Sequence, residues 1–247
     1  MIFGARLAAL TRPAAATLLT LLLCAAFVRL GVWQWQRWRT SDADWTRFAR
    51  GADALQPLGA RALEQVALFQ RVSVTGRLDG QHQFLLDNRS HQGRAGYEVL
   101  TPLARADGRV LLVDRGWVAF TGSRAHLPDV SLSGGTAVTL SGRAAELPSA
   151  GLASGRAAPQ AADPWPKLTS FPRPAELARA LGVPLGARIL LLDADAPQGF
   201  VRDWQPPGLT PLRHLAYAIQ WWCFAALAVI VWAVIGVRRA RAAAGPP

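Results

Sequence analysis

A chain of 247 residues, 51% apolar and with a formal charge of +11, is long enough for one ordinary domain with its own core. Cys24 and Cys223 both fall in apolar segments and Met1 is the only methionine, which excludes a disulfide framework, a CxxC redox pair and a thioether-based copper carrier. Nor does the charge describe a nucleic-acid binder: six arginines lie in or beside the apolar segments, and the region between holds 21 scattered basic residues against all 16 acidic ones.

The first apolar segment runs uncharged from about Ala14 to Val28 and continues through Arg29 into Leu30-Gly31-Val32-Trp33. It reaches the roughly 20 residues that a span needs only with Arg29 and Gly31 inside it. Residues 14–35 are therefore read as a transmembrane helix after an N-terminal stretch, 1–13, that carries Arg6 and Arg12. A cleaved signal peptide is the rival reading. Cys24-Ala25-Ala26 offers small residues, but the apolar run is long for one and the preceding charge modest. Beyond Trp33 the helical register predicts continuation to Gln56-Pro57, where Pro57 and Gly59 break it.

The period then changes. Short β-branched or apolar runs at 69–78, 82–89, 97–104 and 109–118 are separated by DG, QGRAG and ADG turn signals, as in an antiparallel meander. A further strand is expected at 136–145, a long Ala/Gly/Pro-rich loop at 148–167, a short helix at 174–182 and a last strand at 187–194. No GxSxG, HExxH or phosphate loop appears, and the chain is not read as an enzyme. His82 and His91 flank Asp87-Asn88-Arg89 without a diagnostic ligand spacing, and His126 lies in a polar connection; all three read as solvated loop histidines. Asp87-Asn88-Arg89 and Asp114-Arg115-Gly116-Trp117 each end an apolar strand with a carboxylate beside a guanidinium. They read as ion pairs between strand ends, with Arg89 and Arg115 each expected to find a carboxylate, or else as a lip for an acidic partner.

The second apolar segment, Leu215 to Val237, is 23 residues without a charge, and 214–237 is read as the second transmembrane helix. Arg238, Arg239 and Arg241 follow it in a tail, 238–247. The positive-inside bias puts both ends in the cytoplasm and the β-rich region, 36–213, on the far side of the membrane, which in a bacterium is the periplasmic side of the inner membrane. Trp33, Trp35, Trp38, Trp221 and Trp222 then form an aromatic belt at the outer level. The expected architecture is an α+β membrane protein, two transmembrane helices flanking an extracytoplasmic antiparallel β-sheet or barrel-like domain with short peripheral helices.

His214 opens the second span. On a helix, Tyr217, Ala218, Trp221 and Ala225 share its face. Such a stripe can hold a flat aromatic cofactor, with an imidazole for iron, rings for stacking and alanines for space. It can equally be an interfacial histidine packed on the other helix. Arg29 can snorkel outward or pair with an acidic group, such as a haem propionate, between the helices.

Four patches together, LGVWQWQRW (30–38), GRLDGQHQFLLDNRSHQGRAGYEVLTPL (76–103), GRVLLVDRGWVAF (108–120) and HLAYAIQWWCFA (214–225), resemble the surfeit locus protein 1 family of cytochrome c oxidase assembly factors. The likeness spans nearly the whole chain, although VDRGWVAF lacks the proline that often follows the tryptophan–valine pair. It implies a non-enzymatic role in maturing the catalytic subunit of haem–copper oxidases, with that subunit and the haem a synthase as partners. It also implies binding of haem a between the two membrane helices. Carried onto this sequence, His214 becomes the axial ligand and Trp221 lies on the same face; the helical face read above adds Tyr217 and Ala218, and the first span Arg29, as the residues expected around the cofactor. Gly31, Trp33, Gln34 and Arg37 match the first-anchor motif, and Arg115, Gly116 and Trp117 the central one. The alternative under the same resemblance is a scaffold for the nascent subunit that touches no cofactor.

Overall fold

The computed structural model describes residues 2–51, 54–132, 135, 137–149 and 155–244, with side chains from residue 14 onward. The side chains of Arg6 and Arg12, residues 150–154 of the 148–167 loop and the end of the tail lie outside the described residues. The chain divides into two compact units, one of residues 1–45 with 208–247 and one of 46–207.

The first unit is helical. Helix α1 spans Ile2–Arg50, and helix α3 spans Pro211–Ala243 with Pro211 in its first turn, where a missing N–H costs nothing. Both are long and apolar enough to cross a membrane, and only 6% and 11% of their most apolar windows are buried. Helices that served as the core of a soluble protein would be covered; these present leucine, isoleucine and valine to the outside.

Where they meet, α1 turns Cys24, Phe27, Gly31 and Gln34 toward α3, at the three- and four-residue spacing of a packing stripe. α3 answers with Ala218 and Ala225, both buried. The Cys24 thiol lies 3.6 Å from the Ala225 carbonyl, and the Trp232 indole donates to the Thr17 hydroxyl at 3.0 Å.

The second unit carries β1 (Gln56–Pro57), β2 (Arg71–Leu78), β3 (Phe84–His91), β4 (Arg94–Ala104), β5 (Val110–Ala119), β6 (Val138–Glu146), β7 (Lys167–Thr169), helix α2 (Pro174–Leu181) and β8 (Leu185–Leu192). Helix α1 stops at Arg50, short of the expected Gln56-Pro57. Gly51 donates back to the Arg47 carbonyl at 2.8 Å, and Gln56-Pro57 instead pairs with Val72-Ser73 of β2 as a parallel strand.

Turn chemistry predicts β3–β4–β5 well, and those strands form an antiparallel meander. The sheet as a whole is mixed. β8 inserts between β5 and β6, parallel to the first and antiparallel to the second. Two further parallel pairings, β1 with β2 and β3 with β7, lie at the ends of the strand order. A parallel neighbour needs a long crossover, which the chain between β5 and β8 supplies. β4 is long enough to pair twice: its body lies beside β3 and β5, while Leu103 and Ala104 reach Leu78 and Arg77 of β2. That last pairing closes β2, β6, β8, β5 and β4 into a barrel.

Alternating side chains fill it. Val72, Val74, Leu103, Leu111, Val113, Leu140, Leu190 and Leu192 form the interior, whereas Leu112 and Ile189, one residue out of phase, pack outward with Phe84, Leu86 and Leu177 of α2. α2 starts at Pro174, Glu176 accepts the Arg173 backbone N–H at 2.9 Å, and Gly182 at φ 70° ends it.

Candidate functional site

His214 sits in the first turn of α3 and is half-buried. Its Nδ1 lies 2.8 Å from Oε1 of Gln34 on α1. One and two turns back along α1, Gly31 and Phe27 face α3; two turns forward, the Ser41 hydroxyl donates to the Leu209 carbonyl at 3.0 Å. Gln34 and Ser41 thus clasp the start of α3 from one face of α1. Gly31 makes room for a side chain of α3, since a Cβ there would run into the indole of Trp222, 2.9 Å from Cε2.

The residues of the His214 stripe divide. Ala218 is fully buried and Ala225 nearly so, both covered by α1 rather than left open. Trp221 is half-buried and stacks on Phe27, with centroids 5.8 Å apart and planes inclined 24°. Tyr217 stands 45% exposed on the flank of the stripe. Arg29 is exposed, two residues from Gly31 and so on the far side of α1, where it does not point between the helices. At the level of Gly31 the seam is filled by the Trp222 indole, with Trp35 against it at 6.0 Å; further along the helices an apolar cavity of about 690 Å³ opens between them, lined by Leu23 and Phe27 of α1 and Phe224, Leu227, Val231 and Trp232 of α3. Gln34, Phe27 and Trp222 had no place among the candidate ligand-binding residues. Gln34 was legible only as a motif position, because helical periodicity says which residues share a face and not what stands opposite.

In the second unit the two expected ion-pair motifs behave differently. Arg89 meets Glu98 on β4 at 3.0 Å, and Asp87 is met by Arg124 at 2.7 Å. Arg115 finds no carboxylate among the described residues. Its Nε donates to the Gln198 carbonyl at 2.7 Å, and its NH1 to Gln83 Oε1 at 2.9 Å and to the Val130 carbonyl at 3.0 Å, with the Phe200 ring 4.7 Å from the guanidinium carbon. The expectation fails because the connections at Val130 and Gln198 and the side-chain amide of Gln83 set oxygens opposite two of the guanidinium nitrogens, where a carboxylate was expected. Burial, reinforced by the charge of Arg202, lowers its pKa to about 10.

Asp114 is buried with its Oδ1 accepting the Gly116 N–H at 3.0 Å. Its pKa is pushed well up by burial and then by the nearby Glu98 carboxylate. Glu98 is itself raised by burial, against the pull of Arg89. Gly116 adopts φ 111°, and a Cβ on it would come 2.5 Å from the Val201 carbonyl, so the RGW motif needs glycine for backbone approach.

His82 bonds Asp79 at 2.7 Å rather than Asp87, and His91 lies 5.4 Å from Trp117. Among the described residues, no three or more His, Cys, Asp or Glu side chains gather in a metal-binding cluster.

The SURF1 family model matches residues 21–226. SURF1-like proteins of Mycobacterium tuberculosis and Mycobacterium bovis are 32% identical over 187 residues, 73% of this chain and 66% of theirs, so the match spans just under two-thirds of those relatives. A SURF1-like protein of Dictyostelium discoideum is 42% identical over 53 residues, 22% of this chain and 20% of its own. With a family match that takes in the β-barrel, most of α1's apolar stretch and the His214–Trp222 segment of α3, the chain belongs to the SURF1 family.

Proposed function

We propose that this protein is an assembly factor for a haem–copper, cytochrome c-type oxidase, that it catalyses no reaction of its own, and that His214 ligates haem a before the haem passes to the oxidase catalytic subunit. The SURF1 family is one of cytochrome oxidase assembly factors rather than of catalysts, which supports the first two parts. The third rests on one observation, the pairing of His214 with Gln34 across the two helices. Haem iron, when bound, takes an imidazole nitrogen as an axial ligand. The donor chemistry here suits it: Nδ1 is engaged by Gln34, and Nε2 makes no hydrogen bond among the described residues. A histidine in the first turn of a membrane helix also lets propionates reach the polar boundary while a macrocycle lies deeper.

The packing beside His214 adds a condition. Since Ala218 is covered and Trp222 lies over Gly31, a ring on His214 finds room between the helices at this level only if Trp222, 37% exposed, swings off Gly31. Tyr217 and Trp221 flank that opening. We place the β-barrel unit on the periplasmic side of the inner membrane, where it docks the oxidase subunit and the haem a synthase.

The test is to co-express each variant with haem a synthesis and record the Soret and α bands of the purified protein. His214→Ala should lose the bands or shift them strongly while still inserting, and Trp221→Phe should keep haem with an altered spectrum. An unchanged His214→Ala spectrum removes the ligand assignment and favours a cofactor-free scaffold.

A further inference from the structure

We infer that Gln34 is the positioning residue of the His214 site, holding the imidazole in its Nδ1–H tautomer so that Nε2 is the nitrogen presented to a ligand. The inference deepens the haem reading and rests on it for the ligand's identity, but not for the state of the ring. An amide oxygen 2.8 Å from Nδ1 is satisfied only by a proton on that nitrogen, because an oxygen facing an unprotonated nitrogen sets two lone pairs against each other. A neutral imidazole carries one proton, so Nε2 is then the lone-pair nitrogen. The second nitrogen of a metal-ligating histidine is commonly held in this way by a carbonyl or carboxylate, which orients the ring and raises its basicity.

The packing around Gln34 gives it the rigidity that such a role needs. It is half-buried on α1, one turn from the tight Gly31–Trp222 contact and two turns from the Ser41–Leu209 hydrogen bond. Those two contacts fix α1 against the start of α3 on either side of Gln34. The amide reaches across from the neighbouring helix, so the ring's orientation depends on the helices being paired at this level. Separation at Trp222 therefore loosens the same ligand that the pairing orients, which would couple release of a ligand to opening of the seam.

The experiment uses the full chain in micelles with ¹⁵N-labelled histidine, without haem. The His214 ring signals are identified by their loss in His214→Asn. Wild type should show the Nδ1–H tautomer, and Gln34→Glu, which keeps an acceptor, should retain it. Gln34→Leu should revert toward the Nε2–H form that free histidine prefers. In the haem arm, Gln34→Leu should weaken haem affinity by about 10- to 100-fold. Gln34→Glu should bind with shifted bands and a lower midpoint potential, as a carboxylate makes the imidazole a stronger donor. An Nε2–H signal in wild type overturns the inference, as does a tautomer unchanged in Gln34→Leu. If Gln34→Leu fails to accumulate, the wild-type and Gln34→Glu spectra still decide it. A wild-type Nδ1–H tautomer with no haem bound by any variant would refute the haem reading and leave the role of Gln34 standing.

Discussion

Asp114 is 1% exposed and lies close to Glu98, with Arg89 the nearby cation. Two carboxylates and one guanidinium in a dry sheet favour a shared proton, and burial is the larger reason that Asp114 holds it. The sign follows. A carboxyl whose folded pKa is raised above the ordinary value of about 3.9 binds its proton more tightly in the folded state. Its contribution to stability is full below that ordinary value and is lost as pH rises through the folded one, at up to about 1.4 kcal/mol per pH unit for one proton. Asp114→Asn keeps an oxygen for the Gly116 N–H and removes the titration. The variant should therefore show a flatter fall in barrel stability as the pH rises above about 4, measured by near-ultraviolet circular dichroism on the full chain in detergent. Equal slopes for parent and variant would mean that Asp114 is ionised throughout.

At the level of elements, α1 and α3 pack through glycine and alanine where the aromatic side chains are largest. Small residues let helix backbones approach in a membrane, where water supplies no drive for association. Gly31→Val forces the new side chain into the Trp222 indole, an overpacking that costs about 2 kcal/mol. Trp222→Ala makes room for it. Cys24, 3.6 Å from the Ala225 carbonyl, provides a reporter. In a Cys223→Ser, Ala225→Cys background, an oxidant that enters the bilayer should join Cys24 to position 225. The yield should drop with Gly31→Val and recover in the Gly31→Val, Trp222→Ala double variant. A yield indifferent to Gly31→Val would show that the seam does not depend on this contact.

For the molecule as a whole, the proposed orientation has a direct test. Arg238, Arg239 and Arg241 follow the second span, and Gly122 lies in an exposed turn of the barrel unit at φ 91°. Positive charge beside a span holds that side in the cytoplasm, and a domain this large translocates whatever its charge. A reporter active only in the periplasm should work when inserted at Gly122 and fail when fused after the tail, and a cytoplasmic reporter should do the reverse. Periplasmic activity from the tail fusion would leave one span in place of two.

The sequence by itself determined the features that depend on one stretch of chain. The apolar segments show in composition, because a span must bury its own backbone polar groups in a helix whatever its neighbours. The β3–β4–β5 meander shows in its turn residues, and α2 in Pro174 at its start and Gly182 at its end. Tertiary structure decided what depends on two distant stretches meeting. β1 and β7 are too short to have a period, and the insertion of β8 beside β5 is a choice of partner that no local signal encodes. Arg115 is met by carbonyl oxygens from three separate segments, none of which the neighbouring Asp114 foreshadows. The candidate site follows the same division. Periodicity puts His214, Ala218, Trp221 and Ala225 on one face, but only the packed helices set Gln34, 180 residues away, against the imidazole. Hydrogen bonding at 2.8 Å depends on where both backbones run, and those are set by contacts such as the Trp222 indole seated on Gly31, which join residues far apart in the chain.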